Sequence, residues 1–208
     1  MIIKSIEQFR LNINSVNELH SLVESINQLV NIIDVSEILR AEIVLAISAL
    51  DCFLHDLLRL GTIETYYGQR RYHHAKTERP KFDENKLIFL LTKDKASQIM
   101  ELDQTFREIF STKTFQDPQI IQKNLISINI ENIWQEVARI TAIPQSDIEQ
   151  KLKLIVSRRN SIVHEADIDI IGGGVGQKKA ISQISVKGDI EFIEKVCEAI
   201  YVIADRMR

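Results

Sequence analysis

Residues 36–61 read SEILRAEIVLAISALDCFLHDLLRLG. Ile38, Leu39, Ile43, Val44, Ala46, Ile47, Leu50, Phe53, Leu54 and Leu57 recur at the period of an α-helix, not of a strand. Ser36 and Glu37 offer a cap and an early acid, and Gly61 a stop or a kink. Between Ala41 and Leu60 the apolar residues fall on most sides, which predicts a helix at the centre of a bundle.

The same period recurs on both sides. Val16, Leu19, Leu22, Val23, Ile26, Leu29 and Val30 predict a first helix over 15–31, with Ser15 as cap and Glu18 completing a capping box. Residues 66–86 turn polar and are expected to form an irregular insertion, followed by a short apolar segment over 86–91. Residues 95–109 form an amphipathic pattern through Ile99, Met100, Leu102 and Phe106. Asp117-Pro118 opens a short helix to about residue 126, and another covers 131–140 around Trp134. A long helix is expected over 146–165, then a flexible glycine-rich stretch from Asp167, then a last helix over 190–208 capped by Asp189. With only seven glycines and three prolines, the reading is an all-α antiparallel helical bundle. It is expected to be a single domain over 1–208, with a core over 36–208 and residues 1–35 packed on it as a helical extension.

Composition narrows the function. The net charge of −3 argues against broad coating of nucleic acid, though not against a local grip on one or two phosphates. Cys52 and Cys197 sit in apolar helical patterns outside any C-x-x-C pair, so both are expected to be buried thiols rather than zinc ligands. The first fifteen residues carry charges throughout, and no stretch reaches the ~20 apolar residues of a membrane span. A cytoplasmic protein without membrane contact is the expectation.

Chemistry concentrates in Ser157-Arg158-Arg159-Asn160-Ser161-Ile162-Val163-His164-Glu165. On a helix, Arg159 and His164 lie about 140° apart around the axis and about 7.5 Å along it. Asn160 and His164 share a face. Arg158 and Arg159 make a local positive site. These residue types suit metal-free RNA cleavage, in which a 2′-hydroxyl attacks its own phosphate. An imidazole can move the proton. A guanidinium can hold the phosphoryl oxygens. Asn160 can orient the imidazole or bond a phosphate oxygen. The same residues also fit a plain helix end, with Asn160 bonded locally, His164 on the C-terminal dipole and the arginines in surface ion pairs.

RRNSIVHEAD resembles the R-[N/D]-x-x-x-H signature of the HEPN superfamily. Ala49-Leu50-Asp51-Cys52-Phe53-Leu54-His55-Asp56 resembles a pattern in the second helix of its RiboL-PSP-like branch, and NLISINIENIWQEVA is similar to the segment before the motif helix there. Together these span about 40–166. The resemblance implies a HEPN-type bundle and a metal-independent endoribonuclease without cofactor. It implies a homodimer in which two motifs meet in a composite cleft. It also implies a toxin or phage-defence role, RNA as substrate and, in the toxin case, a cognate antitoxin protein. By position, Arg159 is then the phosphate clamp, Asn160 the polar residue beside it and His164 the acid/base, with Arg158 and Glu165 supporting. A non-catalytic HEPN module that dimerises and binds a nucleotide or a partner protein is the competing reading.

Asp51 and His55 share a helix face and can reach into the cleft, or can belong to a buried polar network. Arg70, Arg71, His73 and Lys76 mix cations with aromatics and can contact RNA, or be a solvated loop. His73-His74 lacks the partners of a metal site. The 172–178 glycine run lacks the strand of a phosphate loop and reads as a hinge. His20 and Trp134 read as structural.

Overall fold

The long apolar helix lies at the centre. The computed structural model describes residues 1–29, 33–71, 84–169 and 176–207. Among these are eight α-helices: α1 (Ile3–Leu29), α2 (Ser36–Tyr66), α3 (Glu84–Leu91), α4 (Lys95–Phe110), α5 (Pro118–Leu125), α6 (Ile133–Thr141), α7 (Gln145–Glu165) and α8 (Gln183–Arg206), plus a 3-10 turn at Ile126–Ile128. α2 packs against α1, α4, α5, α7 and α8. Polar pairs fix the directions. Met1 and His20 of the first segment meet Glu64 and Glu42 of α2, and Arg10 and Glu24 of α1 meet Glu198 and Lys187 of α8. Each set runs antiparallel.

Several boundaries differ from expectation for local reasons. α1 begins at Ile3, twelve residues before Ser15, because Ile2, Ile6, Phe9, Ile13 and Val16 extend one buried stripe. Ser15 is no cap; its hydroxyl bonds back to the Leu11 carbonyl. α8 begins at Gln183, not Ile190, since the Ser182 hydroxyl accepts from Ser185 N and caps the helix early. Asp189 instead pairs with Lys151 at 3.5 Å, and burial pushes its carboxyl above the ordinary value. α2 starts after Val35 without a side-chain cap. Met100 is exposed, and α4 buries Leu102, Thr105, Phe106 and Phe110. Asp94 and Asp117 cap α4 and α5 through their carboxylates. Trp134 is buried, and its indole N–H bonds the Pro118 carbonyl at 3.0 Å. Cys197 is buried, and burial drives its thiol well up; Cys52 is exposed, contrary to its apolar sequence context.

His20 is buried with Nδ1 2.7 Å from Glu42. Burial raises the Glu42 carboxyl while His20 opposes the shift. No helix among the described residues is long and apolar enough to cross a membrane.

Gly61 does not stop α2, which continues to Tyr66. Its role is close approach: a Cβ there would lie 2.9 Å from Cγ2 of Ile128. Gly61→Ala would gain about 1 kcal/mol of helix propensity. It would lose about 1–3 kcal/mol to overpacking. We therefore expect Gly61→Ala to lower stability by about 1 kcal/mol, read as an earlier midpoint in urea unfolding.

Candidate active site

The motif helix owes its position to its two ends. Ile148, Leu152 and Ile155 bury one face of α7 against the bundle. At the other end Ala166 and Asp167 take left-handed backbone, with φ of 50° and 58°. Asp167 N then bonds the Ser161 carbonyl at 2.9 Å, which closes the last turn.

That turn drives Asp167 inward until it is 0% exposed. Its Oδ2 accepts from Arg40 Nε at 2.8 Å and from Arg158 Nη2 at 2.7 Å. Arg40 is itself only 5% exposed. Both guanidiniums also donate to the Lys179 carbonyl, and Lys179 N returns a bond to Asp167 O at 2.8 Å. An antiparallel bridge between Ile168 and Lys178 completes the contact. The expected flexible stretch therefore begins with an anchored aspartate, not a loose one. Residues 170–175, which include most of the glycine run, lie outside the described residues.

This network changes the reading of Arg158. Sequence pairs it with Arg159 as one positive site, but its charge faces Asp167. Arg159 points elsewhere. It lines a hollow of about 410 Å³ with Ser48, Asp51, Cys52, His55 and Gln116. Its Nη1 donates to Asn160 Oδ1 at 3.1 Å, and its Nε is buried without a partner. Asn160 is thus bonded to Arg159 rather than to the imidazole.

His164 lines a different hollow, of about 360 Å³, with Asn160, Ser161, Lys153, Lys179 and Asp117. It is exposed. No hydrogen bond holds its ring among the described residues. Glu165, beside it, accepts from the Ser161 hydroxyl at 3.1 Å. Arg159 and His164 of one chain therefore open on separate hollows, as their angular separation on the helix requires.

Asp51 and His55 lie on the Arg159 side. Asp51 accepts from Phe115 N at 2.7 Å and from Gln116 Nε2 at 3.4 Å. His55 Nε2 lies 3.1 Å from the Lys113 carbonyl and its ring meets Phe115 edge-on. Both hold the 113–116 segment, and both share the hollow with Arg159. Asp56 pairs with Arg59 at 2.6 Å.

Arg70 is corrected as an RNA contact. Its side chain is buried, pairs with Glu64 at 3.1 Å and donates to the Ile128 carbonyl at 3.4 Å. The chain reversal after α2 folds it back onto a buried acid. Arg71 is exposed. His73, His74 and Lys76 lie outside the described residues.

Three residues escaped the sequence reading: Arg40, Asp167 and Lys179. A signal existed for Arg40, a cation inside the most apolar helix, which needs a buried counter-charge. Nothing local marked its partner 127 positions away.

The eight helices and the exposed motif define a HEPN-type domain. The chain belongs to the RiboL-PSP-HEPN family, whose model matches residues 7–205. HEPN domains include ribonucleases and nucleotide-binding modules, and they usually act on RNA and dimerise. No curated protein and no solved structure matches the chain.

Asp167→Ala would leave Arg40 buried without a carboxylate. We expect it to cost about 3–5 kcal/mol, visible in urea unfolding. Glu165→Ala, which removes only a partly exposed bond, should stay within about 1 kcal/mol.

Proposed function

We propose that this chain is a metal-independent HEPN endoribonuclease, a toxin or phage-defence effector that cleaves host or phage RNA. The observation that carries the proposal is the placement of the motif. Among the described residues, His164 stands exposed and unbonded at the end of α7, while Arg159 keeps one buried donor without a partner.

In the reaction, the 2′-oxygen bonds to phosphorus and the bond to the 5′-oxygen breaks. The 2′-hydroxyl proton passes to an imidazole, and a proton is delivered to the departing 5′-oxygen. Arg159 stabilises the charge that builds on the phosphoryl oxygens. The products are a 2′,3′-cyclic phosphate and a 5′-hydroxyl. Because Arg159 and His164 open on separate hollows, the cleft is completed by a second copy, with the two motif helices meeting about a twofold axis. Val163, 46% exposed between the two motif residues, supplies apolar surface for that contact. Asp51 and His55 act as supports that hold the wall beside Arg159. In the cell, activity of this kind calls for a cognate antitoxin or a trigger, and the site of action is the cytoplasm.

Wild type should cleave a single-stranded RNA in EDTA. Arg159→Ala should lose about 10²–10³-fold, and His164→Ala about 10²–10⁴-fold, measured by gel-resolved product formation. Equal cleavage by all three, or dependence on added metal, would sink the mechanism. Light scattering at micromolar concentration should return twice the chain mass; a monomer alone contradicts the composite cleft.

The net charge of −3 favours one competing reading, a non-catalytic module that binds a nucleotide or a partner. Growth separates the two: expression toxicity relieved by His164→Ala belongs only to the enzyme.

A further inference from the structure

The hollow that holds His164 has a second feature that the motif does not account for. Lys153, Ser157, Asn160 and His164 fall within about 60° of one another around α7, so they form one polar stripe along the helix. Lys179 faces that stripe from the opposite wall. Its ammonium donates to the Ser161 hydroxyl at 2.8 Å, and among the described residues its other two donors are uncommitted. Its backbone is fixed at both ends by the Asp167 network. Lys153 makes no hydrogen bond or ion pair among the described residues.

The two acids that line the hollow each accept hydrogen bonds from neutral donors. The Asp117 carboxylate caps α5 through Gln119 N and Ile120 N, and Glu165 accepts from Ser161. Several surface cations elsewhere are tied to carboxylates, as with Arg10–Glu198, Lys187–Glu24, Lys178–Glu37 and Arg139–Glu136. Lys153 and Lys179 thus place two ammonium groups, neither in an ion pair among the described residues, in a concave site that they share with the carboxylates of Asp117 and Glu165. Apart from the His164 imidazole, which the reaction itself uses, its lining holds no aromatic side chain for base stacking.

We propose that this hollow is a backbone subsite for single-stranded RNA, in which Lys153 and Lys179 bind phosphates flanking the scissile one and leave the bases unread. The inference rests on the ribonuclease reading and adds to it a strand path and a specificity. The RNA runs along the stripe from His164 toward Lys153. Contact with phosphate alone carries no sequence information. Nucleotides on this side of the cut are therefore tolerated irrespective of base. The rigid hold on Lys179 sets its ammonium in place before the strand arrives.

The test uses full-length protein and fluorescein-labelled 2′-O-methyl RNA, which binds but lacks the attacking hydroxyl. Anisotropy is followed across a salt series for a uridine oligomer and an adenosine oligomer. We expect Lys153→Gln and Lys179→Gln each to weaken binding several-fold, equally for both oligomers. Each should lower the slope of log Kd against log salt by about 0.7. Lys195→Gln, with the same change of net charge but outside the hollow, should change neither. Lys179→Arg should restore most of the affinity. Because Lys153 has no bond to lose, its variant keeps the test valid if Lys179→Gln unfolds. If wild type binds and cleaves RNA but both glutamine variants keep its affinity and salt slope, the subsite is wrong and the ribonuclease reading stands. Weakening for one oligomer only would overturn the claim that bases go unread. A wild type that neither binds nor cleaves RNA sinks the ribonuclease reading itself.

Discussion

Asp167 is a carboxylate without access to water, placed between two guanidiniums from different helices. A buried charge of this kind is strongly unfavourable alone and tolerable only when its partners are in place. The requirement is mutual, because Arg40 is buried as well. It couples three elements that are far apart in the chain: the middle helix, the end of the motif helix and the segment that follows it. The left-handed turn at Ala166 and Asp167 is what brings the carboxylate into this network. The direction of the last turn of α7, and so of His164, is inherited from an ion pair that touches no substrate.

Much of the bundle was readable because hydrophobic spacing is a local property. The period of Ile43, Ile47, Leu50, Leu54 and Leu57 marks α2 as a core helix, and the structure buries all five. The Asp-Pro pair at 117–118 acts within one turn of itself. Where the reading failed, a tertiary partner had decided the outcome. Gly61 looks like a terminator from its propensity, but Ile128 needs the space a side chain would fill. Asp189 looks like a cap, but Ser182 starts the helix a full turn and more earlier, leaving Asp189 to Lys151.

The candidate site divides in the same way. Arg159, Asn160 and His164 were found because they fall within one short stretch. That Arg158 turns away from them toward Asp167 is invisible in sequence, where it is the twin of its neighbour. Arg70 stood in the densest basic cluster of the chain, and only the fold reveals the buried Glu64 that claims it. The lysines of the His164 hollow are 26 residues apart and come together through the β-bridge after α7. Charge counts over a window could not have joined them.

The chain contains one tryptophan, and it occupies an informative place. The Trp134 indole is bonded to the carbonyl of Pro118, and Pro118 is part of the wall opposite His164. Any strand that enters this hollow presses on the residue whose carbonyl sets the polarity around the indole. The emission of the unlabelled protein is therefore sensitive to a change at that wall and, because α6 packs against α8, to the last helix as well.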